Sequence, residues 1–296
     1  MKIGPFTPPD VRAAIEQEIF HWEEQPKVVL SDIDLCIAGF TLRIHAHEGY
    51  PLTFVSERLI APFRCQIIGS PDFEFHCQVS ETFNHVIETA PGHIEGKFQN
   101  NSWSMHSSSW RFVHETVQQK VHVVYCGIFA SLLVAIRLFL AHKLLAHRRG
   151  LMMHGAAVIV DDRAFVFLGP SKAGKSTSVY TAGGQILADD AITVIRANDG
   201  SLLVQGTPFG GEHFPSSMQG NSPTFLFIEK SDRNLRTSLP PRNQFARLLS
   251  QTALHPQSPF QMWDAAGELV EHIISQCPVE VLEARRDGSF WKDCLL

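Results

Sequence analysis

Residues 164–177 read AFVFLGPSKAGKST, an apolar run followed at once by a loop of small and basic residues. The apolar run has the length and composition of a buried strand. From Gly169 to Ser176 the loop fits the pattern G-x-x-x-x-G-K-[ST] letter for letter. A preceding strand and a following helix are the context in which this pattern binds phosphate. The stretch therefore predicts a nucleotide-binding loop between a strand and a short helix.

The residue types in this loop suit a polyphosphate. Gly169 and Gly174 allow the backbone to turn tightly and to approach oxygen atoms closely. The loop amides and the start of the following helix favour negative charge. Lys175 supplies a cation for the terminal phosphates, and the Ser176 hydroxyl is suited to ligate magnesium. The predicted nucleotide-binding residues are Gly169, Ser171, Lys172, Ala173, Gly174, Lys175, Ser176 and Thr177.

A pair of carboxylates follows the loop in the stretch LADDAI at 187–192. Asp189 lies fourteen residues after Lys175, at the end of a predicted strand. An apolar strand that ends in carboxylates close to a phosphate loop is typical of magnesium sites in this class. Of Asp189 and Asp190, one carboxylate would accept a proton from an attacking hydroxyl and the other would tune the metal. The alternative is a polar turn after a core strand.

Two further residues are candidates for function. His154 lies in the apolar stretch MMHGAA, and Glu212 lies in the glycine-rich loop GTPFGGEHF at 206–214. Loops of this kind often carry functional side chains. Taken alone, a histidine among apolar residues such as His154 is more often a core residue with satisfied hydrogen bonds than a catalyst.

The pattern along the chain predicts three parts. Residues 1–120 look β-rich, since FEFHCQVS at 73–80 and TLRIHAH at 41–47 alternate apolar and polar residues. Residues 121–149 are predicted to form a connecting buried helix. Residues 150–296 begin with a hairpin that leads into the loop and continue with several strands and helices at 243–254 and 261–276. Because strands outnumber helices near the loop, an α/β fold with a mixed sheet is expected.

Composition excludes several classes of protein. The net charge of -5 over 296 residues leaves no basic surface for nucleic acid or for an anionic membrane. The apolar segment 121–146 contains Arg137, His142 and Lys143, and its helical periodicity favours a buried helix over a membrane span. The N-terminal MKIGPFTPPD lacks the apolar core of a signal peptide. The six cysteines form no C-x-x-C pair, which suits reduced thiols in the cytoplasm.

Fifteen histidines are scattered along the chain and are candidate metal ligands outside the loop. His45 and His47 stand two residues apart on a predicted strand, so both side chains would lie on one face. No third or fourth ligand follows at the spacing of a metal site. Surface or core histidines are therefore expected.

Taken together, three motifs resemble the catalytic domain of HPr kinase/phosphorylase. They are His154-Gly155, the loop with Ser171, Gly174, Lys175 and Ser176, and Ala188-Asp189-Asp190, all within residues 150–215. The resemblance implies the P-loop kinase fold shared with phosphoenolpyruvate carboxykinase. It extends to HPr-kinase-like proteins of peptide-modification clusters, including lasso-peptide serine kinases.

The resemblance also implies roles. Lys175 would contact the phosphates of ATP, Ser176 and Glu212 would hold magnesium, and Asp189 would be the general base toward a serine hydroxyl. His154 would support activity close to that base. Related kinases assemble into oligomers, so a homo-oligomer is compatible with the resemblance.

Residues 1–120 do not resemble the family's N-terminal domain, and Lys172 replaces the usual small residue. The expected activity is therefore transfer from Mg-ATP to a serine of a peptide or small protein, with residues 1–120 binding the acceptor or a partner. The alternatives are a kinase of a small metabolite and a nucleotide-binding switch with little turnover.

Overall fold

The computed structural model describes residues 27–28, 32–46, 55–56, 60–79, 94–98, 102–107, 109–126, 129–210, 215–285 and 287–295. The chain divides into two compact units, Met1–Arg137 and Leu138–Leu296. Each unit contains a sheet with both parallel and antiparallel neighbours. The expectation of an α/β chain with a mixed sheet is confirmed.

In the described part of the first unit, strands are the main secondary structure. A seven-stranded sheet has the order β2-β3-β5-β9-β8-β7-β6, and β1 pairs with β4 separately. A short 3-10 helix spans Ala61–Phe63. The strands are β1 (Lys27–Val28), β2 (Asp32–Ile37), β3 (Phe40–His45), β4 (Val55–Ser56), β5 (Phe73–Val79), β6 (Glu95–Phe98), β7 (Ser102–His106), β8 (Trp110–Glu115) and β9 (Lys120–Tyr125).

Alternation of apolar and polar residues explains why this sheet has one buried face. In β5, Phe73, Phe75 and Cys77 are buried while Glu74 and His76 are partly exposed. Successive side chains of a strand point to opposite faces, so one face packs into a core and the other meets solvent. The strands predicted over TLRIHAH and FEFHCQVS are confirmed as β3 and β5.

The β-rich region continues past residue 120, where the sequence predicted the connecting helix to begin. The stretch KVHVVY forms β9, in which Val121, Val123 and Tyr125 are buried. Its β-branched residues alternate with polar ones, and this period-2 pattern favours a strand over a helix. The predicted start of the helix at residue 121 was therefore wrong.

Helix α1 (Phe129–Ala146) is the buried helix that the sequence predicted. Most of its described side chains are buried, including Leu132, Ile136 and Leu140. Within the described residues, no helix combines the length and the apolar composition needed to cross a membrane.

One polar side chain of α1 is fixed by two hydrogen bonds. Nδ1 of His142 lies 3.0 Å from the Leu138 carbonyl oxygen and Nε2 lies 2.8 Å from the Ser258 hydroxyl. A carbonyl only accepts, so Nδ1 carries the proton and Nε2 accepts from Ser258. Burial lowers the pKa of His142 from 6.5 to about 4, and the neighbouring Leu138 carbonyl opposes the shift only in part.

Acid should therefore destabilise the protein through His142. The unfolded chain takes up a proton near pH 6.5 and the folded chain only near pH 4, so stability is complete above pH 6.5 and falls between these values. The loss approaches about 3 kcal/mol at the lower end. We expect His142→Gln to flatten the dependence of the urea midpoint on pH over this window. Equal pH dependence in both proteins would contradict the assignment.

The second unit contains the predicted phosphate loop. Its strands are β10 (Gly150–Val160), β11 (Arg163–Leu168), β12 (Gln185–Ala188), β13 (Ala191–Arg196), β14 (Leu202–Gly206), β15 (Gln219–Lys230), β16 (Leu235–Ser238) and β17 (Val279–Ala284). Its remaining helices are α2 (Lys175–Tyr180), α3 (Pro241–Ser250), α4 (Phe260–Gln276) and a π-helix at Trp291–Leu295. The predicted hairpin before the loop is confirmed as β10 and β11, and the two later helices as α3 and α4.

The sheet of the second unit closes on itself. Its strand order runs β11-β10-β13-β14-β15-β17-β16, and β11 also pairs with β15 in parallel. Five strands from β11 to β15 along this path therefore form a closed circuit. Within the described residues of this sheet, parallel neighbours occur only where β15 meets β11 and β17, and the other pairs are antiparallel.

Both faces of this sheet are covered, which holds the loop on a rigid base. One core cluster joins the strands to Leu248 of α3 and Val270 of α4. Another joins them to Val179 of α2 and Trp291 of the π-helix. Strands covered on both faces read as continuous apolar runs, as AFVFL does. The indole of Trp291 also donates to the Ser178 carbonyl at 2.9 Å, which anchors α2.

Candidate functional site

The predicted phosphate loop joins β11 to α2, as the sequence indicated. The backbone takes positive φ at Gly169 (141°), Lys172 (65°) and Gly174 (114°). Gly174 caps the helix in the left-handed conformation, which glycine adopts without steric penalty. Helix α2 has only six residues. Its dipole is correspondingly small, so the loop backbone and Lys175 provide most of the attraction for an anion.

Lys175 is buried inside the loop. Its ammonium group donates to the carbonyls of Gly169 at 2.9 Å and Pro170 at 3.0 Å. An ammonium has three N–H donors, and the third is the one suited to an anionic oxygen. Burial lowers the pKa of Lys175, and the charge of Asp190 acts in the opposite direction. The cation is thus held at the loop by two carbonyl oxygens.

The two aspartates lie in the bend between β12 and β13, after the strand has ended. Their environments differ. Asp189 is 3% exposed and its carboxylate accepts a short hydrogen bond from the Tyr180 hydroxyl. The side chain of Asp190 is 31% exposed. The Ser176 hydroxyl lies 3.4 Å from the Asp189 carbonyl oxygen, which joins this bend to the start of α2.

His154 lies on β10, beside this bend. Its Nδ1 is 3.1 Å from both the backbone oxygen and a carboxylate oxygen of Asp190. The amide of Gly155 donates to the same backbone oxygen at 3.0 Å. The resemblance implied a position close to Asp189, and the direct partner in the structure is the adjacent Asp190. The structure therefore brings His154, Lys175, Ser176 and the aspartate pair into one site.

The glycine-rich loop after β14 contributes backbone to this site. Gly210 has a φ of 89°, and an added Cβ would lie 2.6 Å from a carboxylate oxygen of Asp190. Only glycine allows the backbone to pass this close to the carboxylate. Glu212, the predicted magnesium ligand of the same loop, lies outside the described residues.

Two oxygen donors suited to a magnesium ion belong to the start of α2 and to the bend between β12 and β13. Ser176 offers a hydroxyl and Asp190 a carboxylate, and both belong to the hard oxygen ligands that Mg²⁺ prefers. The donor set therefore fits magnesium. Of the other predicted loop residues, Ser171, Lys172 and Thr177 are exposed and Ala173 is partly buried, so ligands can reach the loop.

Two cavities lie against the loop. One of about 630 Å³ is lined by residues 169–173, by residues 227–230 of β15 and by Arg247, Ser250 and Gln251. Its volume falls within the range of about 300–1,000 Å³ that is usual for small-molecule sites. A cavity of about 200 Å³ lies beside residues 172–174.

The sequence gives no indication that Tyr180 and Arg247 belong to this site. Tyr180 has no motif that links it to Asp189. Arg247 of α3 lies 5.6 Å above the Phe227 ring and forms a 3.0 Å ion pair with Glu229, which sets its position on the larger cavity. These contacts depend on how helices pack on the sheet, so the local sequence gives no indication of them.

The similarity of this chain to known proteins is confined to solved structures. No protein-family model matches the chain. No curated protein matches it in sequence. Among solved structures, the HPr(Ser) kinase/phosphatase from Coxiella burnetii is similar over 42% of this chain and 90% of that chain, with 15% identity and a TM-score of 0.20. A likeness this weak establishes neither fold nor activity.

Proposed function

We propose that this protein is a Mg-ATP-dependent kinase that transfers the terminal phosphoryl group to a serine hydroxyl of a peptide or small protein. The observation that carries this proposal is the convergence of the phosphate loop with Asp189 and Asp190. The Ser176 hydroxyl lies 3.4 Å from the Asp189 carbonyl oxygen. The negative charge of Asp190 favours the protonated form of Lys175. A buried carboxylate beside the loop, in addition to one suited to magnesium, matches the general base that phosphoryl transfer to a hydroxyl requires.

Five side chains take part in the proposed reaction. Lys175 neutralises oxygens of the transferred group, and the loop backbone positions the phosphates. Ser176 and Asp190 hold magnesium, with His154 fixing the Asp190 side chain. Bound magnesium supplies charge that stabilises the phosphate oxygens. Asp189 accepts the proton of the acceptor hydroxyl as the new P–O bond forms and the bond to the leaving nucleoside diphosphate breaks.

The acceptor is assigned to a peptide or small protein on the basis of the sequence resemblance. In the same proposal, the β-rich N-terminal unit binds the acceptor or a partner protein. The larger cavity beside the loop carries Arg247, Lys172 and Lys230, so it offers basic groups to an anionic ligand.

The test is a transfer assay with the purified full chain. We would incubate it with γ-labelled ATP, magnesium and the peptides encoded beside its gene, and identify products by mass spectrometry. A peptide that gains one phosphate on serine, in an amount that depends on Asp189, is the expected result. ATP binding without transfer to any peptide or small hydroxyl compound would overturn the kinase proposal. Transfer only to a small hydroxyl compound would replace the peptide acceptor.

The hydroxyl of Tyr180 should tune this reaction without binding the nucleotide. Tyr180→Phe removes the group that donates to Asp189 and keeps the aromatic ring. Without this donor the Asp189 carboxylate loses a contact that fixes its orientation, and misplacement of a catalytic group slows the reaction, so we expect a loss of about tenfold in kcat and no change in the KM for ATP. Tyr125→Phe, in the first unit, is the control and should leave kcat unchanged. An unaltered kcat in Tyr180→Phe would show that the hydroxyl only contributes to stability.

A further inference from the structure

A row of histidines crosses the partly exposed face of the first sheet. His45 of β3 pairs with His76 of β5, and His76 pairs with His122 of β9, in adjacent parallel strands. The ring centroids are 5.0 Å and 5.5 Å apart and the rings are stacked. Strand register therefore places three imidazoles side by side, although the sequence separates them by more than thirty residues each.

A carboxylate joins the row. Glu74 precedes His76 by two residues on β5, so both side chains lie on the same face. The metal-ligating atoms of His45, Glu74 and His76 all lie within 4.8 Å of one another. Ligands of a tetrahedral zinc ion stand about 3.4 Å apart, given metal–ligand distances of about 2.0–2.1 Å. The three side chains are 31–39% exposed, so small rotations can close the remaining gap.

The surrounding groups orient two of these ligands. Nδ1 of His45 lies 3.0 Å from a carboxylate oxygen of Asp32, which leaves Nε2 as its ligand atom. A carboxylate behind a histidine is the usual outer partner in metal sites. Nε2 of His76 is buried, makes no hydrogen bond within the described part of the chain, and lies 3.7 Å from Glu74. A buried nitrogen of this kind costs about 1–3 kcal/mol unless a partner satisfies it.

Other charges around the row permit a bound cation. Arg43, which is opposite Glu74 on β3, makes two hydrogen bonds of 2.8 Å and 2.9 Å to Asp34 and is thereby neutralised. Lys120, opposite Glu74 on β9, adds a positive charge that opposes a bound cation, and the three carboxylates of Asp32, Glu74 and Glu115 outweigh it. His122 extends the row, but its Nε2 faces Glu115 at 3.5 Å. A cavity of about 270 Å³ lined by the three histidines gives room for an ion and its water ligands.

We propose that His45, Glu74 and His76 form a binding site for a divalent transition-metal ion, namely zinc, with Asp32 as the outer partner of His45. Two imidazole nitrogens and one carboxylate oxygen match the ligands of zinc and disfavour calcium and magnesium, which prefer oxygen alone. The site lies on the first sheet and does not depend on the kinase proposal. The further ligands, Glu74 and His76, come from the strand next to that of His45. The spacing of residues around His45 in the sequence therefore does not reveal them.

The test is titration of the metal-free full chain with Co²⁺, whose visible absorption reports tetrahedral coordination, followed by displacement with Zn²⁺. We expect one Co²⁺ per chain, displaced by one Zn²⁺. Loss of an outer partner typically costs about 10–100-fold in metal affinity. Asp32→Asn should therefore weaken binding by about 10–100-fold, and His76→Gln or Glu74→Gln by more.

Two controls make the result specific. His106→Gln changes a histidine of the same sheet that faces Glu95 at 3.7 Å, the same distance as in the His76–Glu74 pair, and should leave Co²⁺ binding intact. Lys175→Ala should also leave it intact, because it alters only the phosphate loop. Equal thermal midpoints of the metal-free variants would show that they fold. Unchanged Co²⁺ affinity in both His76→Gln and Glu74→Gln, or binding that is lost only in Lys175→Ala, would overturn the proposal.

Discussion

Asp189→Asn is expected to lower the rate of phosphoryl transfer by about 10²–10⁴-fold while the affinity for ATP stays within a few-fold. The asparagine keeps the size of the side chain and can still meet the Tyr180 hydroxyl, but it cannot accept the proton of the acceptor. Asp189 is 3% exposed, so the loss cannot come from a change at the protein surface. Single-turnover transfer and equilibrium binding of ATP measure the two quantities separately.

Two matched variants identify what Asp189 does. Asp162 lies in the exposed turn of the β10–β11 hairpin, at a φ of 62° that asparagine also tolerates. Asp162→Asn should therefore leave transfer unchanged. Asp190→Asn should raise the magnesium concentration needed for half-maximal activity. If Asp190→Asn instead lost transfer at saturating magnesium and Asp189→Asn changed only the magnesium requirement, the two roles would be exchanged. Unchanged transfer in Asp189→Asn would remove it from the reaction.

The second large effect is expected at Lys175. Lys175→Ala removes a buried cation that is 6% exposed and is held at the phosphate loop by two carbonyl oxygens. A hydrogen bond to a charged group stabilises by about 1.5–3 kcal/mol, so ATP affinity should fall by about 10–100-fold. Calorimetric titration with a non-hydrolysable ATP analogue measures this directly. Transfer should fall as well, because the same cation neutralises the transferred group.

Loss of loop structure has to be separated from loss of charge. Lys175→Met keeps an unbranched apolar stem in the buried space and should weaken ATP binding as much as Lys175→Ala does. Lys292→Ala, an exposed lysine of the C-terminal π-helix, removes the same charge far along the chain and should have no effect. Undiminished ATP affinity in both Lys175 variants would contradict the identification of residues 169–176 as a nucleotide-binding loop.

Much of the second unit could be predicted because its signals are local. The strand AFVFL, the glycines of the loop and the short helix that follows lie within a few residues of one another, and each signal acts on the neighbouring backbone. The same holds for β12 and β13, whose apolar runs bracket the aspartates. The one clear misplacement, the start of α1, arose where two apolar segments adjoin. The valines of KVHVVY favour a strand at this place, because these β-branched residues alternate with polar ones.

The sequence by itself determined the chemistry available to the protein. It places a lysine and a hydroxyl after a glycine loop and two carboxylates after the next strand, and these residue types belong to phosphoryl transfer. Only the tertiary structure decided which groups meet. The closed circuit of five strands, the position of His154 beside Asp190 and the histidine row of the first sheet join residues distant in sequence, and the Tyr180–Asp189 hydrogen bond joins a helix to the bend after the next strand. Such contacts follow from strand order and register, which are set by the burial of whole sheet faces and not by the residues next to each side chain.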